Sequence, residues 1–223
     1  LLVIDSQNGA EFKISIKKNN LIKNEKIISS LSLRRKHQSS ENSYYLLKSV
    51  IAGRGFHWQK KISIKVKGDL FISKNSGSIF LVNNIPVETY LMCVATSEMS
   101  GECPNALLEA QTVAARSWLI SASEKKHRHL KIDVCNDDCC QRYQGISNLT
   151  SSSIKASKRT FGTVLTHNDS ICDTRYSKSC GGHSENNENV WGGNHKKYLK
   201  GIPDKVKNSS DNFIQGQFGA RIP

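Results

Sequence analysis

Glu98 stands where a helical stripe of apolar side chains runs on into an acid. Val87, Leu91, Val94 and Ala95 recur at the spacing of one helix face, and the next step along that face is Glu98. A carboxyl held against apolar surface loses hydration of its charged form. Its pKa then rises toward the range in which it can give a proton and take one back. The spacing equally allows a helix that has already ended, with Glu98 an ordinary exposed side chain. Arg116 offers complementary chemistry, a planar guanidinium able to grip a substrate carboxylate through two parallel hydrogen bonds. It falls on the flank of a second stripe, away from Leu107, Ala114 and Trp118, where a solvated surface arginine is the plainer alternative.

His129, Cys135, Cys139 and Cys140 put four soft or borderline ligands within twelve residues. Structural zinc takes four such ligands in a tetrahedron, and three thiolates with one imidazole are a sound set. The spacing is not that of a common finger, and the adjacent Cys139 and Cys140 reach one ion only if the backbone turns. A disulfide or free thiols are the alternatives. Seven cysteines exclude a fully paired intramolecular set, and the crowding of three into six positions favours metal over disulfides. Farther on, Arg175, Tyr176, Lys178, Cys180, His183 and Glu185 gather around Gly181-Gly182, and Trp191 precedes Gly192-Gly193. An indole there can stack on a sugar ring or simply pack. Cys180 and His183 bring a thiol enzyme to mind, but no third group is in view to orient them.

These groups need elements to position them. Residues 1–5, 11–17, 44–51, 61–67, 70–73 and 78–82 are short, alternating or β-branched, and separated by Asn, Gly and Ser, which predicts a β-rich N-terminal region over 1–84. The basic, polar residues 33–43 read as a loop or hairpin tip. At Ile85-Pro86 the period changes from two to nearly four, with Pro86 suited to a first helical turn and Val87, Tyr90, Leu91, Val94 and Ala95 on one face. A second helix is expected over 104–125, on the stripe Leu107, Leu108, Gln111, Ala114, Ala115, Trp118 and Leu119. A third falls at 151–160, strands at 162–166 and 171–176, and a polar loop or ordered extension after Pro203. The fold class is α+β: a β-rich region followed, over 85–223, by a helix-containing core with an irregular zinc-bearing loop, as two domains or as one continuous domain.

The chain has 223 residues, a net charge of +13 and a sequence pI near 9.5. Such a balance favours anionic partners. Nucleic acid is the commonest of them, yet the lysines are scattered among Asn and Ser. No helix-turn-helix, finger array or aromatic single-strand platform is evident, so no nucleic acid is expected. No apolar run approaches the roughly 18 residues that cross a bilayer. The sequence opens on a strand-like Leu-Leu-Val-Ile, so an export signal or anchor is expected to lie outside it.

Taken in order, several blocks resemble the catalytic domain of the stage II sporulation protein D family, also described as amidase enhancers. They are Ile85-Pro-Val-Glu-Thr-Tyr-Leu, Ala95-Thr-Ser-Glu-Met, and Ala106-Leu-Leu-Glu-Ala-Gln-Thr-Val-Ala-Ala-Arg, followed by Cys140-Gln-Arg-Tyr-Gln-Gly, Tyr176-Ser-Lys-Ser-Cys-Gly-Gly and Val190-Trp-Gly-Gly. The resemblance implies an extracytoplasmic lytic transglycosylase that cuts peptidoglycan glycan strands already stripped of stem peptides. An N-acetylmuramoyl-L-alanine amidase is a possible partner. It also implies Glu98 as acid/base, and Arg116, Tyr176 and Lys178, with Trp191 beside them, as substrate-binding residues. Some members hold zinc through His, Cys, His and Cys. His129, Cys135 and Cys140 fit that set, and Cys139 stands where the second histidine would be. Ser177 replaces the histidine that follows the tyrosine in many relatives. A lytic transglycosylase needs only one carboxylate, because the sugar's own C6 hydroxyl closes onto C1, and no second carboxylate announces itself in the sequence. The rival expectation is a glycan-binding module that stimulates an amidase without cutting.

Overall fold

The computed structural model describes residues 1–35, 42–121, 126–177 and 180–204. Alternating apolar and polar side chains build β1 (Leu2–Asp5), β2 (Glu11–Lys17), β3 (Asn20–Lys23) and β4 (Lys26–Ile28), and then β5 (Ser30–Leu33). β2 turns into β3 through Lys18-Asn19, and β3 into β4 through Asn24-Glu25, all four residues having positive φ. Paired positive φ values are what a tight hairpin connection with the right-handed twist of its strands requires. β6 (Tyr45–Ala52) and β7 (Lys60–Val66) complete a six-stranded antiparallel sheet ordered β4-β3-β2-β1-β6-β7. β8 (Asp69–Asn75) and β9 (Ser78–Asn84) join β5 in a second sheet ordered β5-β8-β9. The expected loop at 33–43 lies largely outside the described residues. Its described Arg35 stacks on Tyr45 at 3.7 Å and pairs with Asp5 at 2.7 Å.

Four α-helices follow among the described residues. α1 (Val87–Glu98) begins after Pro86, and α2 is Asn105–Ser121. α3 (Ser151–Arg159) is closed by a reciprocal box in which the Thr150 hydroxyl accepts from the Ser153 backbone and Ser153 accepts from Thr150 N–H. β10 (Thr166–His167) and β11 (Ser170–Ile171) form a small hairpin, and α4 is Asn187–Trp191. The strands expected at 162–166 and 171–176 are reduced to this hairpin. Residues 172–177 run on outside any ladder, fixed instead by bonds such as the Thr174 hydroxyl to the Ala114 carbonyl at 2.6 Å. The fold is α+β. No helix among the described residues is long and apolar enough to cross a membrane.

One buried cluster joins the two sides of the expected boundary at residue 84. Val3, Ile14, Leu47 and Ile64 come from the large sheet, Leu70 and Ile72 from the small one, and Leu91 and Val94 from α1, with Ala115 from α2. A smaller cluster of Ala95, Leu108 and Ala156 sits where α1, α2 and α3 meet. The expected stripes are rotated in detail. Val87 and Leu107 are nearly half exposed, and the buried face of α2 runs through Leu108, Gln111, Thr112, Ala115 and Arg116. Arg116 therefore points inward and is only 2% exposed, which corrects the expected flank position.

Candidate active site and candidate metal centre

α1 carries its periodicity through to its last residue, so Glu98 stays on the helix and is half-buried. Beside it runs the segment Gln141–Gly145, fixed at almost every residue. The Gln141 side chain is 1% exposed; it accepts from Tyr90 Oη at 3.0 Å and donates to the Ala115 carbonyl at 3.1 Å. The Tyr143 hydroxyl donates to Asn83 at 2.8 Å, and the Gln144 N–H to Ser97 Oγ at 3.1 Å. Gly145, at φ +67°, lies so close to β7 that a Cβ there would come 2.1 Å from the Lys65 carbonyl. Any other residue would push the segment off the sheet.

Held this way, the Arg142 backbone N–H donates to Glu98 Oε1 at 2.7 Å, and the Tyr176 hydroxyl reaches the same oxygen at 3.4 Å. Glu98 Oε2 has no hydrogen-bond partner among the described residues. Burial pushes the Glu98 carboxyl above its ordinary value; the Arg142 N–H pulls the other way, and the negative charge of Asp138 adds to the rise. Both donors engage Oε1, so the proton of the acid form belongs on Oε2. Burial pushes the Tyr176 phenol well above its usual range, so it is a donor at any working pH. Arg142 and Asp138 were not among the residues singled out from the sequence. Arg142 contributes its backbone, which carries no residue-type signal. Asp138 brings a second carboxylate within electrostatic reach of Glu98.

The other expected substrate residues divide. Tyr176 is at Glu98. Trp191 closes α4, is 44% exposed, and has the Arg175 guanidinium 5.3 Å from its ring centre. Lys178 lies outside the described residues. Arg116 is turned away: its Nε and one terminal nitrogen donate to Glu88 at 2.9 and 2.7 Å, and the other terminal nitrogen donates to the Thr163 carbonyl at 2.9 Å. Ten residues of helix at roughly 1.5 Å each put Glu88 about 15 Å from Glu98 along α1. Arg116 thus ties α1, α2 and the chain after α3 together. Cys180 donates to Asp204 at 3.3 Å, with no histidine in that bond.

The group that could hold a metal ion is His127, Cys135, Cys139 and Cys140, whose ligand atoms all lie within 4.8 Å of one another. Cys135 Sγ is 3.1 Å from Cys139 Sγ, which is 3.7 Å from His127 Nε2. Zinc–sulfur distances of roughly 2.3 Å imply ligand–ligand edges of about 3.8 Å, so the set fits one tetrahedral ion. The imidazole is His127 and not the expected His129. His127 caps a short 3-10 turn, Arg128–Leu130, that contains His129, and two residues at three per turn swing the side chain about 240° around the axis. His129 is left exposed. All seven cysteines are free thiols, and Cys93 and Cys172 belong to the core, Cys93 being pushed up to about 12 by burial. In the cluster, burial pushes Cys139 up to about 11, and the Cys135 hydrogen bond holds Cys140 below its ordinary value. Thiols packed this tightly ionise together only around a cation.

Residues 75–167 match the family model SpoIID, Stage II sporulation protein. An uncharacterized protein of Brachyspira hyodysenteriae is 32% identical over 129 residues, which are 58% of this chain and 35% of that protein. The match thus spans about a third of the relative's length.

Proposed function

This chain belongs to the stage II sporulation protein (SpoIID) family through residues 75–167, and we propose on that premise that it is a lytic transglycosylase of peptidoglycan. Family membership supports a cell-wall related role. The finer reading rests on one observation: a carboxyl with raised pKa whose Oε1 takes both donors that reach it among the described residues, while Oε2 takes none of them. In the proposed reaction, Glu98 Oε2–H protonates the oxygen bridging N-acetylmuramic acid and N-acetylglucosamine in a stem-free strand, and the C1–O bond breaks. The resulting carboxylate is stabilised by the Arg142 N–H and the Tyr176 hydroxyl. It then takes the proton of the muramic C6 hydroxyl as that oxygen closes onto C1, leaving a 1,6-anhydro end and restoring the acid. The net charge of +13 suits strands that keep their lactyl carboxylates. The proposed place of action is outside the cytoplasm, where such strands lie.

His127, Cys135, Cys139 and Cys140 would hold a structural zinc, which supplies a cross-link for the loop after α2. Asp138 supports a second reading, hydrolysis, with that carboxylate activating water.

Mass spectrometry of products from purified stem-free glycan tests the proposal. The expected result is 1,6-anhydro ends, formed about 10²–10⁴-fold more slowly by Glu98→Gln. Reducing ends would replace the transglycosylase with the Asp138-assisted hydrolase. Strands bound but uncut would leave a non-catalytic activator of an N-acetylmuramoyl-L-alanine amidase.

A further inference from the structure

The connection between β6 and β7 takes no part in the chemistry above, yet it is built against the same segment that holds Glu98. Within β6 the register slips between Leu47 and Val50, with Ser49 at φ +68°. Such a bulge bends the strand and re-aims its end. The chain then turns at Gly53, whose φ is +67° and whose missing Cβ would sit 2.2 Å from the Trp58 ring. The indole therefore lies directly on Gly53. Phe56 stacks on Trp58, with centroids 5.6 Å apart and planes at 17°. Phe56 is 41% exposed and Trp58 half-buried. The Asp137 carboxylate pins the turn by accepting from Gly53 N–H at 3.0 Å and Arg54 N–H at 2.8 Å. Two fixed aromatic rings at a pinned, solvent-facing turn are poorly explained as core packing.

Arg142 joins this turn to Glu98. Its backbone N–H is on the carboxyl, and its guanidinium lies 4.9 Å from the centre of the Trp58 ring. Arg142 also lines a hollow of about 230 Å³, together with Lys60, Ile62, Gln144, Ser147 and Asn148 among others. An amide sugar presents apolar C–H faces to a ring, hydroxyl and acetamido groups to side-chain amides, and, in muramic acid, a carboxylate to cations. Aromatic rings, amides and cations all line this surface.

We infer that the surface from Phe56 and Trp58 across Arg142 to the hollow at β7 is a glycan subsite, holding a sugar of the strand beyond the one cut at Glu98. This rests on the proposed glycan-cutting function and extends it. Two cations, Lys60 and Arg142, favour a muramic acid ring there.

Binding of purified stem-free strands to Glu98→Gln protein, by calorimetry, provides the test, because that variant binds without consuming its ligand. Adding Trp58→Ala is expected to weaken binding about tenfold, the scale of one lost aromatic contact, and Trp58→Phe to recover most of it. Lys60→Glu, on an exposed strand position, is expected to weaken binding and to lose its effect in high salt. It carries the test if Trp58→Ala lowers the melting temperature. Strands bound equally tightly by Glu98→Gln alone and with either second change would overturn the subsite and leave the glycan reading standing. Strands not bound by Glu98→Gln itself would overturn both.

Discussion

α1 carries a glutamate near each end, and the two are held in opposite states. Burial works against ionisation at Glu88, but hydrogen bonds from Arg116 and Ser157 and the attraction of the Arg116 charge more than offset it. Its carboxyl is held below the ordinary range. At Glu98 burial prevails, because the nearest donors are a backbone N–H and a phenol and the nearby Asp138 is itself negative. A buried cation makes the first a brace. The second, with no such ion pair among the described residues, is the proton donor of the proposed reaction.

The largest expected effect separates them by activity. Glu98→Gln slows turnover by about two to four orders of magnitude while keeping an acceptor for the Arg142 N–H. Glu88→Gln retains glycan cutting per folded molecule. Breaking the brace from the other side comes next. Arg116→Ala should cost about 3–5 kcal/mol in denaturant unfolding, because it leaves the Glu88 end of the pair half-buried without its cation. Arg116→Lys is expected to recover only part of that, since an ammonium cannot form the two-pronged bond. An undiminished unfolding free energy would return Arg116 to the role of substrate contact.

Removing metal from the thiol cluster would probe a third kind of environment, in which a shared ion would stabilise crowded acids. Chelation is expected to lower the melting temperature while the rate per folded molecule at saturating glycan falls by less. An unchanged melting temperature after complete removal of bound zinc would count against a structural ion. The smallest effect is a difference in pH dependence at Glu98. Its folded pKa is above the ordinary value of 4.5, so the folded chain holds the proton more tightly than the unfolded one. Its contribution to stability is fully present below 4.5 and is lost as pH rises through the folded value. Glutamine does not titrate, so Glu98→Gln should gain melting temperature relative to the parent as pH rises from 4.5, and the gap should then level off. A gap that shrinks instead would mean the carboxyl is stabilised as the anion.

The sequence determined the α+β class, because strand alternation and helix periodicity are local properties. It located the change of period at residue 85 but left Glu98 open between the end of a helix stripe and an exposed position beyond it, which α1, running to Glu98, decided. It missed β3, β4 and β5; the turns into the first two, Lys18-Asn19 and Asn24-Glu25, lack the glycine that usually marks paired positive φ. It also set Arg116 outside, since a stripe of apolar residues cannot show that a glutamate 28 positions earlier will neutralise a buried guanidinium. Three features belong to the tertiary structure alone: His127 in place of His129 beside the thiols, the Arg142 backbone on Glu98, and Trp58 on Gly53. Each depends on where separate segments meet and which way a turn has rotated a side chain. Spacing along the chain carries no record of either.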